Sequence, residues 1–207
     1  MSTSSHGQPR REHRDSAGAP YYSFAPVPMK EVDVPLPEFT VISVAIGIGA
    51  NRGNPLDAIT QALEQLRRGG VLRLRRAPLY RTRPVACDPE TPEFVNTAVT
   101  GLWRGSPLAL LALCQAIEQA LGRPAAHSSR AARELDLDVL LVGERWLDSA
   151  ALTVPHPRLT QRLFVLVPLA EIAPDWRLPP TLETVAACRD RLLQEPGAEL
   201  WGRPCDG

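Results

Sequence analysis

Residues 133–142 read Arg-Glu-Leu-Asp-Leu-Asp-Val-Leu-Leu-Val, and the rest of the chain is organised around this stretch. Its apolar content and the Leu-rich, β-branched run after Asp138 predict a buried strand. Side chains alternate between the two faces of a strand, so Asp136 and Asp138 share one face and the flanking leucines share the other. Two residues along a strand span roughly 6.6 Å, which leaves room for cations beside the two carboxylates.

The two carboxylates favour a bound metal ion. Like charges on one face of an apolar strand repel each other and resist burial, and a cation removes both costs. Because no His or Cys stands beside them, oxygen ligands alone point to Mg²⁺ or a similar hard cation. The ordinary interpretation of an isolated Asp-x-Asp pair is two solvated surface carboxylates, and the surrounding sequence has to decide between the two.

The segments around this stretch alternate between strand and helix patterns. The pattern predicts a strand at 40–48, a helix at 55–68, strands at 71–81 and 94–103, a helix from 107 to about 121, and then the Asp strand. Asn54 and Ser106 each precede a proline, and a capping side chain followed by proline is a typical helix start. This βαββαβ order predicts an α+β, ferredoxin-like fold, with an antiparallel sheet and helices on one face. Additional C-terminal helices are predicted at about 161–172 and 181–193.

Length and composition limit the class of protein. The chain has 207 residues, enough for one domain of ordinary size. Residues 1–38 are rich in Ser, Gly, Pro and Arg without a sustained period, which predicts a disordered extension before a folded domain at 39–207. The formal net charge is zero, so no bulk attraction to nucleic acid is implied. With no leader and no apolar run near about 18 residues, we expect a cytoplasmic monomer that is not bound to a membrane.

Seven short stretches in series carry a resemblance to a known family. They are Ile48-Gly49-Ala50-Asn51; Tyr80-Arg81-Thr82 with Pro84; Phe94-Val95-Asn96; Ile117-Glu118 followed by Gly122-Arg123; Arg-Glu-Leu-Asp-Leu-Asp at 133–138; Val154-Pro155-His156-Pro157-Arg158; and Arg-Leu-Phe-Val-Leu-Val-Pro-Leu at 162–169 with Glu171-Ile172-Ala173-Pro174. On these residues the chain resembles, over roughly 41–176, the 6-hydroxymethyl-7,8-dihydropterin pyrophosphokinase family of folate synthesis. The family's fold is ferredoxin-like, and 39–207 would be its catalytic domain.

The resemblance implies transfer of pyrophosphate from ATP to the hydroxymethyl group of 6-hydroxymethyl-7,8-dihydropterin, with release of AMP. It implies two Mg²⁺ ions on Asp136 and Asp138, with Arg123 and Arg133 as further catalytic residues. Such a transfer depends more on charge neutralisation and in-line positioning than on a covalent catalyst. The ATP-binding residues that the resemblance implies are Gln115, Glu118, Arg123, Arg133, His156 and Arg162.

The resemblance also implies a pterin pocket, formed by Thr82, Val85, Phe94, Asn96 and Phe164. A planar amide such as that of Asn96 offers a donor and an acceptor together, which matches the amino-pyrimidinone edge of a pterin. Phe94 and Phe164 would stack on the two faces of the ring. Without the resemblance, either Phe would be assigned to the core. Phe94 and Asn96 are two residues apart, so they share a face of the strand.

Three of these assignments have ordinary alternatives. His156 follows Pro155 and could be a turn histidine bonded to backbone. Gln115 and Glu118 lie one helical turn apart, so both could reach a ligand. The same spacing would also suit a solvated helix face.

The chain departs from the family pattern at three places. Residues 129–133 are Ser-Arg-Ala-Ala-Arg, where the family commonly has Arg-Trp-Gly-Pro-Arg. Ala50 replaces a serine, and Pro157 stands where an aromatic residue often follows the His-Pro turn. We expect residues 122–132 to act as a mobile lid over ATP.

Other functions stay open on the sequence alone. Another Mg-dependent nucleotide-handling transferase could use the same Asp pair without the pterin pocket. An RNA-binding sheet is disfavoured by 5% aromatic residues and zero net charge. A catalytically weakened relative of the family is the third possibility.

Overall fold

The architecture comes from a computed structural model of the protein. The structure describes residues 13–14, 20–21, 41–84, 91–121, 135–198 and 202–205. The chain divides into two units, Met1–Lys30 and Glu31–Gly207. In the first unit, β1 (His13–Arg14) and β2 (Pro20–Tyr21) pair in antiparallel fashion. The disordered extension predicted over 1–38 stays a prediction.

The second unit carries the predicted βαββαβ order. Its elements are β3 (Ile42–Ala50), α1 (Pro55–Arg68), β4 (Leu72–Arg76), β5 (Leu79–Thr82), β6 (Phe94–Trp103), α2 (Pro107–Ala120) and β7 (Asp136–Val142). The strands lie in the order β5-β6-β3-β7, β4 also pairs with β6, and all these pairings are antiparallel. The ferredoxin-like α+β fold is confirmed.

The C-terminal part adds two helices and three strand pairings. Its elements are β8 (Leu147–Asp148), β9 (Thr153–Val154), a 3-10 turn (Leu159–Gln161), α3 (Leu163–Ile172), β10 (Arg177–Leu178), β11 (Glu183–Thr184), α4 (Val185–Leu193) and β12 (Arg203–Cys205). Strands β8 and β9 form one hairpin and β10 and β11 another. Strand β12 joins the edge of the main sheet beside β5, a pairing that the sequence did not predict.

The two predicted helix starts are confirmed with their caps. The Asn54 side chain accepts a hydrogen bond from the Asp57 N–H at 3.4 Å, and proline follows at the first helical position. The Ser106 hydroxyl accepts from the Ala109 N–H at 3.1 Å. Such caps satisfy N–H groups that have no partner inside the helix, which is why these starts could be located from sequence.

Two predicted elements differ from the structure. The single strand predicted at 71–81 is divided into β4 and β5, because Pro78 has no N–H to donate to the sheet. The Ala77 N–H donates instead to the Ala98 carbonyl at 2.9 Å. The last helix begins at Val185 rather than near 181, because residues 177–184 form the β10–β11 hairpin. The Thr184 hydroxyl caps that helix by accepting from the Ala187 N–H at 3.1 Å.

The sheet has a core on each face. Alternation along β3 directs Val44, Ile46 and Ile48 toward α1 and α2, and Ala45 toward α3 and α4. Helix α3 is buried along most of its length, since it lies on the sheet and is covered by α4. The two C-terminal helices therefore close the face that the βαββαβ unit leaves open. Among the described residues, no helix has both the length and the apolar character needed to cross a bilayer.

Candidate active site on the α3 face of the sheet

One row of facing residues crosses four strands on the α3 side of the sheet. Tyr80 on β5 faces Asn96 on β6, Asn96 faces Gly49 on β3, and Gly49 faces Asp136 on β7. Directly facing residues of antiparallel strands point to the same side of a sheet. With strands about 4.8 Å apart, Asn96 and Asp136 start about 10 Å from each other. Because glycine has no side chain, the row has a gap at its centre.

The Asn96 amide is held in place beside this gap. Its Nδ2 donates to the Thr82 hydroxyl at 2.7 Å, and both side chains are buried. A Cβ atom built on Gly49 would lie 2.5 Å from Asn96 Oδ1, closer than real contacts allow. The amide therefore extends over Gly49, where only a glycine fits.

Asn51 and Phe94 complete this end of the sheet. The Asn51 Nδ2 donates to the Pro92 carbonyl at 3.2 Å, which ties the end of β3 to the residues before β6. Phe94 faces Thr82 across the β5–β6 pair and is half-buried. The sequence motif contained Asn51 without a role for it. Its position directly after a strand was the available signal in the sequence.

Asp138 lies two residues from Asp136 on the same face and has two basic neighbours. Its Oδ2 is 3.6 Å from Arg162 Nη1 and 3.9 Å from His156 Nε2. The Asp138 side chain retains 36% of its exposure, so a ligand can reach it. The structure thus brings together three residues that the sequence placed far apart.

His156 is positioned by backbone contacts on both sides. Its ring Nδ1 accepts a hydrogen bond from the backbone N–H of Arg158 at 3.1 Å, and its backbone N–H donates to the Leu140 carbonyl at 2.9 Å. The Leu140 carbonyl is available because β7 has a bulge there, where Ala45 faces Leu141 and Ile46 faces Val139. The turn interpretation is correct for Nδ1, while Nε2 is directed at Asp138.

The electrostatic surroundings favour a neutral His156. Burial is the largest cause that lowers the pKa of His156, and Arg162 and Arg158 lower it further, against opposing effects of Asp138 and Asp136. With Nδ1 accepting a hydrogen bond, the proton of the neutral ring lies on Nε2. The ring can therefore donate one hydrogen bond on the side of Asp138.

Arg162 connects the acidic residues to an aromatic wall. Its guanidinium carbon lies 5.4 Å from the centroid of the Phe164 ring, within the range of a cation–π contact. Arg162 is the residue just before α3, and Phe164 is in the first turn of that helix. Phe164 is half-buried and contacts the core between the sheet and α3, so the core assignment is also correct for it in part.

Gln115 and Glu118 of α2 differ in environment. Gln115 is exposed, as a solvated helix face would be. Glu118 is only 2% exposed, and its Oε1 accepts from the Leu137 N–H at 2.8 Å. No sequence pattern indicated this contact, since it joins α2 to Leu137, the residue between the two aspartates of β7.

Cys114, one turn before Glu118, offers a chemical check on this environment. Burial, then the charges of Glu118 and Asp138, raise the pKa of the Cys114 thiol to about 12. We expect iodoacetamide to alkylate Cys114 far more slowly than the half-exposed Cys205 in the native protein, because the thiolate is the nucleophile. Mass spectrometry of the peptides measures both rates. If Cys114 were alkylated at the same rate in the native and the unfolded protein, its burial would be contradicted.

Some predicted site residues lie outside the described residues. They are Val85 of the pterin pocket, Arg123 and Arg133 of the catalytic and ATP-binding sets, and the predicted lid at 122–132.

The Asp pair fits a metal ion that shares its ligands with a substrate. In the described part of the chain, no group of three or more His, Cys, Asp or Glu side chains could hold a metal. Mg²⁺ is usually bound by one or two carboxylates together with substrate phosphates, rather than by an all-protein cage. Two partly exposed carboxylates on one strand face have that character.

Comparisons with known proteins agree with this arrangement. A family model described as 7,8-dihydro-6-hydroxymethylpterin-pyrophosphokinase (HPPK) matches residues 45–174. A 2-amino-4-hydroxy-6-hydroxymethyldihydropteridine pyrophosphokinase of Pseudomonas aeruginosa is 40% identical over 160 residues, 75% of this chain and 98% of that relative. A relative with the same name from Synechocystis is 39% identical over 164 residues, 76% of this chain and 83% of that protein.

Larger proteins contain a similar part. The mitochondrial folate synthesis bifunctional protein of Arabidopsis thaliana is 38% identical over 129 residues, which is 62% of this chain and 23% of that protein. The structure of Plasmodium falciparum HPPK-DHPS with pteroate aligns with a TM-score of 0.60 at 12% identity. It covers 74% of this chain, which spans 45% of that one, and at this identity it supports the fold alone.

The family model covers more than half of the chain, and the two bacterial relatives match along most of their length. The chain therefore belongs to the 7,8-dihydro-6-hydroxymethylpterin-pyrophosphokinase family, and it is an ATP-dependent enzyme that transfers pyrophosphate in folate biosynthesis.

Proposed function

We propose that the chain binds 6-hydroxymethyl-7,8-dihydropterin and ATP on the α3 face of the sheet, on either side of Gly49. The observation that supports this most directly is the row in which Asn96 and Asp136 face each other across that glycine. A planar amide at one end and a pair of carboxylates at the other suit a heterocycle and a metal-bound polyphosphate, respectively. The hydroxymethyl group would meet the β-phosphate in the space between the amide and the carboxylates.

Asp136 and Asp138 would hold Mg²⁺, and the family resemblance implies two ions. When bound there, Mg²⁺ neutralises polyphosphate charge and orients the phosphates. In the transfer, the hydroxymethyl oxygen loses its proton to solvent and forms a bond to the β-phosphorus. The bond from that phosphorus to the oxygen shared with the α-phosphate breaks, and AMP leaves with that oxygen. The protein has to bind, align and exclude water, and no nucleophilic side chain is required.

His156 and Arg162 would bind phosphate oxygens near Asp138. The neutral imidazole donates through Nε2, and the guanidinium offers a planar pair of donors. Both already lie within 4 Å of the Asp138 carboxylate, at 3.9 and 3.6 Å. Arg123, Arg133 and Gln115 belong to the ATP-binding set on the resemblance alone.

The pterin would lie against Asn96 and Thr82, between the rings of Phe94 and Phe164. The Asn96–Thr82 hydrogen bond fixes which amide atoms face the ligand. Phe94 shares the face of β6 that carries Asn96, and Phe164 comes from α3 above that face. Val85 would add a backbone contact.

Asn96→Ala should weaken pterin binding by about 1–3 kcal/mol, because a buried polar edge loses its partner. ATP affinity should change far less, since the nucleotide lies on the other side of Gly49. Calorimetry with each ligand separately measures the two effects. Gln119→Ala, on the exposed side of α2, is the control. Equal losses for pterin and ATP would mean that Asn96 only supports the fold.

The proposed reaction is tested by incubating the protein with ATP, Mg²⁺ and 6-hydroxymethyl-7,8-dihydropterin. We expect AMP and the pterin diphosphate in equal amounts. Release of ADP, or release of pyrophosphate with a nucleotide adduct, would instead favour another nucleotide-handling transferase on the same Asp pair. The cytoplasmic location, the monomeric state and the absence of a nucleic-acid partner stay predictions.

A further inference from the structure

Glu118 is a buried carboxylate beneath the proposed metal site. It is 2% exposed, on the side of α2 that faces β7. Its Oε1 accepts from the Leu137 N–H at 2.8 Å, and Leu137 is the residue between Asp136 and Asp138. Burial of a carboxylate is costly, whereas an apolar residue at a core position is not. This position therefore calls for a role beyond packing.

The strand geometry explains why the Leu137 N–H needs a partner. Among the described residues, β7 is an edge strand that pairs with β3 in the main sheet. Along an antiparallel edge strand, alternate N–H groups point inward to the neighbour and outward away from it. The outward group of Leu137 is buried, so without Glu118 it would remain unsatisfied. The N–H groups of Asp136 and Asp138 correspondingly point toward β3.

Asp136, Leu137 and Asp138 are thus held from both sides of β7. Gly49 and Gly47 of β3 face Asp136 and Asp138, while Glu118 holds the residue between them. If the outer hydrogen bond is lost, the strand can twist or move away from β3 at Leu137. Both carboxylates would then change direction together, because they flank that residue.

We propose that Glu118 is a positioning residue, which fixes the spacing and direction of Asp136 and Asp138 through the Leu137 N–H. The inference rests on the proposed metal role of the Asp pair. It gives Glu118 a different task from direct contact with ATP, which the resemblance implied. Partners that orient metal ligands typically affect metal affinity by about 10–100-fold, and this one acts through the backbone between two ligands.

Glu118→Ala and Glu118→Gln separate the hydrogen bond from the charge. The Gln side chain keeps a carbonyl oxygen that can accept from Leu137, and Ala removes it. We expect Glu118→Ala to raise the Mg²⁺ concentration for half-maximal turnover about tenfold or more and to lower kcat, with the KM for pterin unchanged. Glu118→Gln should remain within about threefold of the parent protein in both. Gln119→Ala, the exposed neighbour, is the control.

A second readout uses the protein without metal or substrate. Hydrogen exchange followed by NMR should show faster exchange of the Leu137 amide in Glu118→Ala and near-parental exchange in Glu118→Gln.

A third readout is the binding of Mn²⁺ in the presence of a non-hydrolysable ATP analogue, followed by electron paramagnetic resonance. Mn²⁺ binding should weaken in Glu118→Ala alone.

Two results would overturn the proposal. Loss of ATP affinity in Glu118→Gln as large as in Glu118→Ala would show direct, charge-dependent contact with the nucleotide. Faster Leu137 exchange without a change in metal dependence would show a purely structural role. If Glu118→Ala does not fold, the ATP affinity of Glu118→Gln is compared with that of the parent protein. A loss of about tenfold or more would show nucleotide contact, and an unchanged affinity would support positioning. Full activity of Asp136 or Asp138 variants would instead refute the metal site itself.

Discussion

Asp138→Asn is expected to reduce kcat by roughly a thousandfold or more, which corresponds to about 4 kcal/mol of transition-state stabilisation. The amide keeps the shape of the carboxylate but loses the charge that would bind Mg²⁺ opposite the phosphates. The fold should be retained, because the pair with Arg162 is partly exposed and such pairs contribute about 0–1 kcal/mol. Asp136→Asn should behave in the same way, as it shares the strand face.

Steady-state release of AMP and thermal melting of each variant measure the two expectations. Asp175→Asn removes an exposed carboxylate elsewhere and is the control. A variant at Asp138 that kept most of its turnover would rule out the two-carboxylate metal site. A large fall in melting temperature would mean that Asp138 contributes mainly to the fold.

Gly49→Ala should cause the second largest effect, a loss of pterin binding of at least about tenfold. The added methyl group would lie 2.5 Å from Asn96 Oδ1, so one of the two must move. Asn96 is buried and tied to Thr82, and overpacking at such a site typically costs about 1–3 kcal/mol. The amide would turn away from the pterin edge or the strands would separate.

Gly47→Ala is the matched control for this change. Gly47 is two residues away on the same strand face, and its added Cβ would lie 3.5 Å from Leu140 Cδ2, an ordinary contact. Calorimetry with the pterin and thermal melting should therefore show a much smaller change in Gly47→Ala. Equal effects of the two substitutions would mean that strand flexibility, and not the Asn96 contact, explains the role of Gly49.

Local signals made much of the fold predictable. The Asn54 and Ser106 caps fixed two helix starts, and the apolar pattern located β6 at Phe94–Trp103. The break at Pro78 follows from a local signal, the missing N–H of proline, that the apolar pattern at 71–81 obscured. The strand at Arg203–Cys205 was missed because its partner β5 is distant in sequence. A three-residue strand has too little pattern of its own, and it forms only because β5 offers an open edge.

Part of the candidate site was assigned from the family resemblance, which the Asp-x-Asp pair supported by its own chemistry. Asp138, His156 and Arg162 were assigned to neighbouring roles, and the structure brings them together. Gly49 could not be recognised from sequence as a site residue, because its effect is the absence of a side chain opposite Asn96. Glu118 was predicted as an ATP-binding residue, but its contact with Leu137 depends on how α2 lies along the edge of β7.

The bulge at Leu140 also bears on how such chains can diverge. The bulge exposes the Leu140 carbonyl, which accepts a hydrogen bond from the His156 backbone N–H and so holds this residue beside Asp138. The position of His156 therefore does not depend on the β8–β9 hairpin that lies between the two residues in sequence. The tip of that hairpin, Ser149 to Ala151, is exposed. Insertions and deletions there can accumulate during evolution without disturbing the charge arrangement, and the distance along the chain from aspartate to histidine is free to drift.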